Sequence, residues 1–232
     1  MKYRFLLFDA DNTLFDFSAS EKYAFSKTLA EQGVPETPEM LPTYSRDNVL
    51  CWEEFERGEI TKEELLVKRF AIFAEKFCPG KDPAVLNELY TEHLSEVGVL
   101  LPGALDMVKR LKEEGARVYI VTNGLEKVQR GRFSGSELME YIDGVFISER
   151  IGANKPDVLF FERAAAQIPG FDKRYAVVIG DSPTGDVRGA NNFGVPCVWY
   201  NPEGRKAPEG LKIDKTVSNF DEMEAFLKGE DA

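Results

Sequence analysis

Residues 4–17 read RFLLFDADNTLFDF. The apolar run Phe5, Leu6, Leu7, Phe8 stops at Asp9, a second carboxylate follows at Asp11, and apolar residues resume at Leu14. A continuous bulky apolar run, without polar alternation, is the pattern of a strand covered on both faces, as in the centre of a parallel sheet. Acids at its end have an ordinary explanation, because Asp, Asn and Thr terminate strands by bonding nearby backbone groups. The rest of the chain decides between a turn and a site.

Outward from this stretch, further runs of the same kind recur: ARVYIV ending at Thr122, GVFI before Ser148, YAVVIG ending at Asp181, and PCVWY near Pro196. Amphipathic segments separate them. GALDMVKRLKEEG places Leu105, Val108 and Leu111 on one face with Gly115 as a stop, and PDVLFFERAAAQI puts Pro156 at a first helical position. Strands alternating with helices predict an α/β fold with a doubly wound parallel sheet. Residues 17–97 break the rhythm with helical patterns alone. Ser18 and Glu21 stand at capping-box spacing with Gly33 as the stop, and Thr61 and Glu64 repeat the signature. Leu66, Phe70, Phe73 and Phe77 form an apolar stripe, and DPAVLNELYTEHLSEV is a further helix. The expected organisation is a core domain of residues 1–16 and 98–232 and an all-helical domain of residues 17–97. His93, the sole histidine, sits among polar neighbours and reads as a surface residue.

The 232 residues suffice for a sizeable core, and 43% hydrophobic with 30% charged residues is a globular composition. A formal net charge of −11 argues against a nucleic-acid polymer or an anionic membrane as partner. It leaves room for a small phosphate ester, since a metal ion and a few donors invert the sign locally. Cys51, Cys78 and Cys197 are odd in number and show no C-x-x-C spacing, which predicts reduced thiols in a cytoplasmic protein. FLLF is too short for a signal peptide, and no apolar stretch approaches membrane-spanning length.

In an open parallel sheet, ligands bind beyond the carboxyl ends of the strands. The alternation therefore brings Asp9, Asp11, Thr122, Asn123, Asp181 and Asp186 to one rim, joined by Lys155 from the start of a helix. Several carboxylates at one rim repel one another unless a cation lies among them. Hard oxygen donors without histidine or thiolate favour Mg²⁺. A lysine and a threonine hydroxyl beside free backbone N–H groups make an anion site. Metal, anion site and an extra acid together describe phosphoryl transfer.

Four motifs now stand in order: DADNT (Asp9 to Thr13), VYIVTNG with Thr122, ANKPD with Lys155, and GDSPTGD with Asp181 and Asp186. Through them the chain resembles the haloacid dehalogenase superfamily of phosphohydrolases along essentially its whole length. The helical insert resembles that family's mobile cap of the four-helix type. The resemblance implies that Asp9 is a nucleophile forming an aspartyl-phosphate, and that Asp11 protonates the leaving group and later activates water. It implies Mg²⁺ held by the Asp9 carboxylate, the Asp11 backbone carbonyl and Asp181. It assigns phosphoryl binding to Thr122, the Asn123 N–H and Lys155, with Asp186 orienting Lys155 or a metal-bound water. Dehalogenases of the superfamily lack the second acid, so Asp11 argues for a phosphatase.

Finer stretches, including FISERIGANKP, GDSPTGDVRGANNFG and the insert's NVLCWEEFERGEIT, look like the subgroup of pyrimidine 5′-nucleotidases. Asn48 and Trp52 lie one helical turn apart, where an amide and an aromatic could meet a base; Arg69 is a weaker candidate, expected to be solvated. Gly131 and Gly135 depart from the pattern, interrupting a segment expected to be a steadier helix. The expected substrate is thus a small phosphomonoester, a pyrimidine nucleotide first. Alternatives are a sugar or other metabolite phosphate, a phosphomutase reaction, or a non-catalytic binding protein on the same fold.

Overall fold

The structure is a computed structural model that describes residues 1–230. Two compact units emerge: Met1–Asp16, Leu100–Glu126 and the described part of Gly135–Ala232 form one, and Phe17–Val99 with Lys127–Ser134 the other. Along the chain the helices are α1 (Phe17–Glu31), α2 (Met40–Glu56), α3 (Lys62–Phe77), α4 (Pro83–Ser95), α5 (Ala104–Glu113), α6 (Glu126–Phe133), α7 (Ser148–Ile151), α8 (Val158–Ala166), α9 (Arg188–Phe193) and α10 (Phe220–Lys228). None is long and apolar enough to cross a membrane.

The first unit is a six-stranded sheet of β1 (Phe5–Phe8), β2 (Arg117–Thr122), β3 (Gly144–Ile147), β4 (Ala176–Gly180), β5 (Cys197–Tyr200) and β6 (Lys215–Val217). All pairings are parallel, in the order β3-β2-β1-β4-β5-β6. The chain runs outward from β1 through β2 to β3, then crosses to β4 on the other side of β1. The strand order therefore reverses between β1 and β4, the place where such sheets open a crevice at their carboxyl ends. Phe5, Leu7, Tyr119, Val121, Val178 and Trp199 pack on Phe160, Phe161 and Phe193 on one face. The alternate residues Leu6, Phe8, Val118, Ile120, Val177 and Ile179 are buried too, which is why the strands show no polar alternation.

Two local expectations need correction in this unit, and β6 adds a strand to those the apolar runs mark: its KTV is short and polar-flanked, and Tyr200 pairs with Val217 at the sheet edge. Pro156 does not open α8; Asp157 caps it by accepting the Leu159 N–H at 2.9 Å, so Lys155 sits in the loop before the helix. On α5 the buried face is Ala104, Met107, Val108 and Leu111, and Leu105 is half-buried.

In the second unit, α1 packs on α4, α2 on α3 and α3 on α4. The Thr61–Glu64 capping box forms at the head of α3. The Ser18–Glu21 box does not: α1 begins at Phe17, and Glu21 is buried, accepting from Ser45 Oγ at 2.5 Å and Asn48 Nδ2 at 3.0 Å. Phe70 and Phe73 lie in an aromatic core with Phe25, Tyr44 and Tyr90, while Leu66 and Phe77 are half-buried. His93 is 8% exposed rather than on the surface, its ring between Glu31 at 3.0 Å and Glu96 at 3.2 Å.

Of the two glycines at α6, Gly135 lies past its end in a left-handed conformation (φ 83°), and Gly131, inside it, has a packing cause. A Cβ on Gly131 would fall on the Ser95 carbonyl, and one on Gly98 on the Arg132 carbonyl. Backbone meets backbone there, which is why α6, although it follows β2 in sequence, belongs to the helical unit. Arg132 fastens the contact through the Val97 carbonyl and a 5.8 Å approach to the Phe17 ring.

Candidate active site

The carboxyl ends of β1, β2 and β4 bring most of the expected residues together within the sheet unit. Asp9 continues β1, its N–H donating to the Ile179 carbonyl at 2.7 Å, so register alone places it beside the end of β4. The chain then turns at Asn12, whose φ of 55° is the left-handed conformation that Asn tolerates. Leu14 and Phe15 N–H close this turn on the Ala10 carbonyl at 3.0 and 2.9 Å, which sets Asp11 at the rim, half-buried.

Lys155 is the hub. It is 2% exposed, and its Nζ donates to Asp9 Oδ1 at 2.6 Å, Asp186 Oδ1 at 2.6 Å and the Val121 carbonyl at 3.0 Å. An ammonium has three protons, and each has an acceptor. Its backbone is fixed as firmly: Asn123 Nδ2 donates to the Lys155 carbonyl at 2.9 Å and the Lys155 N–H donates to Asn123 Oδ1 at 2.8 Å. The Asn123 side chain thus positions the lysine, a task its sequence position did not reveal. Thr122 Oγ1 accepts the Gly124 N–H at 3.0 Å, shaping the turn that follows β2.

Asp186 arrives on a π-helical turn, Pro183–Val187, a geometry that recurs at functional sites. Its Oδ2 accepts the Ser182 N–H at 3.1 Å while Oδ1 holds Lys155. This carboxylate lies where a side chain at position 180 would be: a Cβ on Gly180 would fall on it. The glycine before Asp181 is therefore a steric requirement of the lysine's anchor. The Asp181 carbonyl accepts from Trp199 Nε1 at 3.0 Å and Arg205 Nη2 at 2.8 Å, two residues the motifs did not single out.

Carboxylate oxygens of Asp9, Asp181 and Asp186 lie within 4.8 Å of one another. Burial pushes the Asp9 carboxyl well above the usual range; Lys155 opposes this, and the Asp186, Asp181 and Asp11 carboxylates add to it. Burial also acts to lower the Lys155 ammonium, but Asp186 and Asp9 outweigh it and hold the lysine charged, above its ordinary value. The cluster thus carries more acid than its buried lysine neutralises, with hard oxygen donors only. That donor set fits a divalent cation of the Mg²⁺ kind. Asp186 has both oxygens committed, which leaves Asp9 and Asp181 as the better ligands.

Asn48 and Trp52 stand elsewhere, on α2 of the helical unit. Asn48 is buried, donating to Glu21 and accepting from Arg69 Nη1 at 3.2 Å; Arg69 Nη2 donates to Asn87 Oδ1 at 2.7 Å. Arg69 is only 2% exposed, so the solvated arginine expected there is a core residue. Trp52 is half-buried, edge-on to Phe55 at 5.8 Å, against Cys51 and Leu65.

The chain is similar to known proteins along most of its length. The chain is 41% identical over 202 residues to pyrimidine 5′-nucleotidase PynA of Streptococcus pneumoniae, covering 87% of this chain and 85% of that protein. It is 31% identical over 227 residues to pyrimidine 5′-nucleotidase YjjG of Escherichia coli, covering 98% and 99%. A magnesium-bound crystal structure of the HAD-hydrolase YfnB from Bacillus subtilis superposes with a TM-score of 0.92 at 32% identity, over 98% of this chain and 99% of that one. Residues 3–194 match the family model for haloacid dehalogenase-like hydrolases. With that match spanning the strands and loops that build the rim, the chain belongs to the haloacid dehalogenase-like hydrolase family.

Proposed function

We propose that the rim is a Mg²⁺-dependent centre for hydrolysing small phosphomonoesters, with nucleoside 5′-monophosphates, pyrimidine ones foremost, as substrates. One observation carries the reading: a buried lysine holds the Asp9 and Asp186 carboxylates, each at 2.6 Å, at the reversal of strand order. The similarity to two pyrimidine 5′-nucleotidases supports the substrate class.

In this reading Lys155 fixes Asp9 Oδ1, and the second carboxylate oxygen attacks phosphorus. The bond from phosphorus to the leaving oxygen breaks, and Asp11 gives that oxygen its proton. Asp11, now a carboxylate, takes a proton from the water that attacks the aspartyl-phosphate, and the Asp9–phosphorus bond breaks to release phosphate. Thr122 and the Asn123 N–H hold the phosphoryl oxygens, Lys155, its three protons on Asp9, Asp186 and the Val121 carbonyl, sets a positive charge beside them, and Asp186 keeps Lys155 oriented. The cation would be held by the Asp9 and Asp181 carboxylates and the Asp11 carbonyl; when bound it neutralises charge on the phosphoryl group and on the acids. Phosphate monoester hydrolysis asks for up to ~10²¹-fold acceleration. General acid–base catalysis supplies about 10²–10⁴, so positioning and charge neutralisation must supply the rest.

Trp52 is proposed to stack on the base. Asn48, its amide committed to Glu21 and Arg69, serves by fixing α2. Residues 17–97 are proposed as the domain that selects the substrate.

A panel of phosphomonoesters assayed with Mg²⁺ and with EDTA tests the reading. Pyrimidine nucleoside monophosphates should lead by kcat/KM, and EDTA should abolish turnover. A hexose phosphate ahead of every nucleotide would overturn the substrate, and a requirement for a bisphosphate activator would replace the reaction with a phosphomutase. Undiminished turnover in EDTA would remove the cation.

A further inference from the structure

The loop after β5 is built to aim one arginine at Asp181. Asn201 is buried, and its side chain grips the Arg205 main chain twice: Nδ2 donates to the Arg205 carbonyl and Oδ1 accepts the Arg205 N–H, both at 2.9 Å. The Asn201 N–H donates to the Val217 carbonyl at 2.8 Å, tying the loop to the end of β6. From this frame the Arg205 side chain, 41% exposed, lies back over the Trp199 ring at 5.7 Å. Its Nη2 donates to the Asp181 carbonyl at 2.8 Å and stands 3.6 Å from Asp181 Oδ2. The second distance is that of an ion pair and too long for a hydrogen bond.

The two contacts differ in what their loss would do. Trp199 Nε1 donates to the same Asp181 carbonyl at 3.0 Å, so the main chain at the end of β4 keeps an anchor without Arg205. What Arg205 alone of these two brings is a positive charge beside the carboxylate. Lys155 pairs with Asp9 and Asp186, and Arg205 with Asp181.

We propose that Arg205 is a positioning residue that serves as a resident counter-charge on Asp181 and sets how tightly the rim takes up its divalent cation. The proposal rests on reading the rim as a Mg²⁺ site. Arg205 offsets the repulsion among the acids before the cation arrives, and a cation arriving at Asp181 meets a like charge. Removing the guanidinium takes one opposite charge from the carboxylate and removes the repulsion, and both changes favour the cation. Because Arg205 is partly exposed, salt screens its effect.

The test is calorimetric titration of the whole chain with MgCl₂ in the absence of substrate, comparing wild type with Arg205→Gln and Arg205→Lys. Arg205→Gln should bind Mg²⁺ roughly 3- to 10-fold more tightly at low ionic strength, with the ratio shrinking toward one as salt rises. Arg205→Lys, which keeps the charge, should stay near wild type. The melting-temperature gain on adding Mg²⁺ should follow the same order. Unchanged or weaker Mg²⁺ binding by Arg205→Gln, or an Arg205→Lys variant that behaves like Arg205→Gln, overturns the proposal while leaving the rim's function standing. Wild type that takes up no Mg²⁺ overturns the reading of the rim, and this proposal with it.

Discussion

Two buried polar clusters in this chain use similar residues to opposite ends. At the rim, Asp9, Asp181 and Asp186 face one buried lysine. In the helical unit, Glu21 on α1, Ser45 and Asn48 on α2, Arg69 on α3 and Asn87 on α4 form a relay with one acid and one base. Burial pushes both Asp9 and Glu21 upward. For Glu21 every other influence, the Ser45 and Asn48 hydrogen bonds and the Arg69 charge, pulls it back down. For Asp9 only Lys155 pulls down, while three carboxylates push further up. A cluster that balances its own charge holds helices together; one that leaves acid in excess has a donor set that fits a cation. Strain of the second kind persists where it serves chemistry.

The largest effect should come from Asp9→Asn. Turnover should fall at least about 10⁴-fold, as for loss of a nucleophile. In EDTA near pH 7, however, the variant should melt at or above wild type. The sign follows from linkage: a carboxyl raised on folding contributes stability that is present below its unfolded pKa and lost as pH rises through its folded pKa. The variant's advantage should therefore vanish below about pH 4. A clear loss of stability in EDTA would mean that the rim, like the relay, is balanced. Next in size, Arg69→Met should cost about 1–3 kcal/mol in urea denaturation, because the Asn48 amide oxygen is left buried without its donor and Glu21, though it keeps Ser45 and Asn48, loses the positive charge that balances it. A cost below about 1 kcal/mol, the scale of exposed pairs, would erase the contrast from the other side. The smallest effect is expected at Trp52→Ala, with kcat/KM for a pyrimidine nucleotide falling about 10-fold and for p-nitrophenyl phosphate scarcely at all. Equal losses would assign Trp52 to packing against Phe55.

What the sequence made legible was whatever rests on local pattern. Continuous apolar runs marked β1 to β5, and polar residues at their ends marked the rim, because a parallel sheet collects its strand ends at one place. Hidden were features set by distant partners. Nothing local distinguishes Glu21 as a buried relay acid from Glu21 as a capping residue; Ser45 and Asn48 on another helix decide it. Arg69 and His93 read as surface residues for the same reason. Gly131 looked like a defect until Ser95 supplied the backbone it packs on. Arg205 lies in a polar loop where arginines are ordinary, and its role depends on Asn201 turning it toward Asp181.

The central claim is that Asp9 attacks phosphorus. Mixing the protein with Mg²⁺ and a pyrimidine nucleoside monophosphate, quenching in acid within the first turnover and reducing with borohydride converts a phosphorylated aspartate to homoserine, which peptide mass spectrometry can place. Homoserine at position 9, absent in EDTA, is the result predicted; product formation with residue 9 unmodified, or with the mark at another residue, would contradict it.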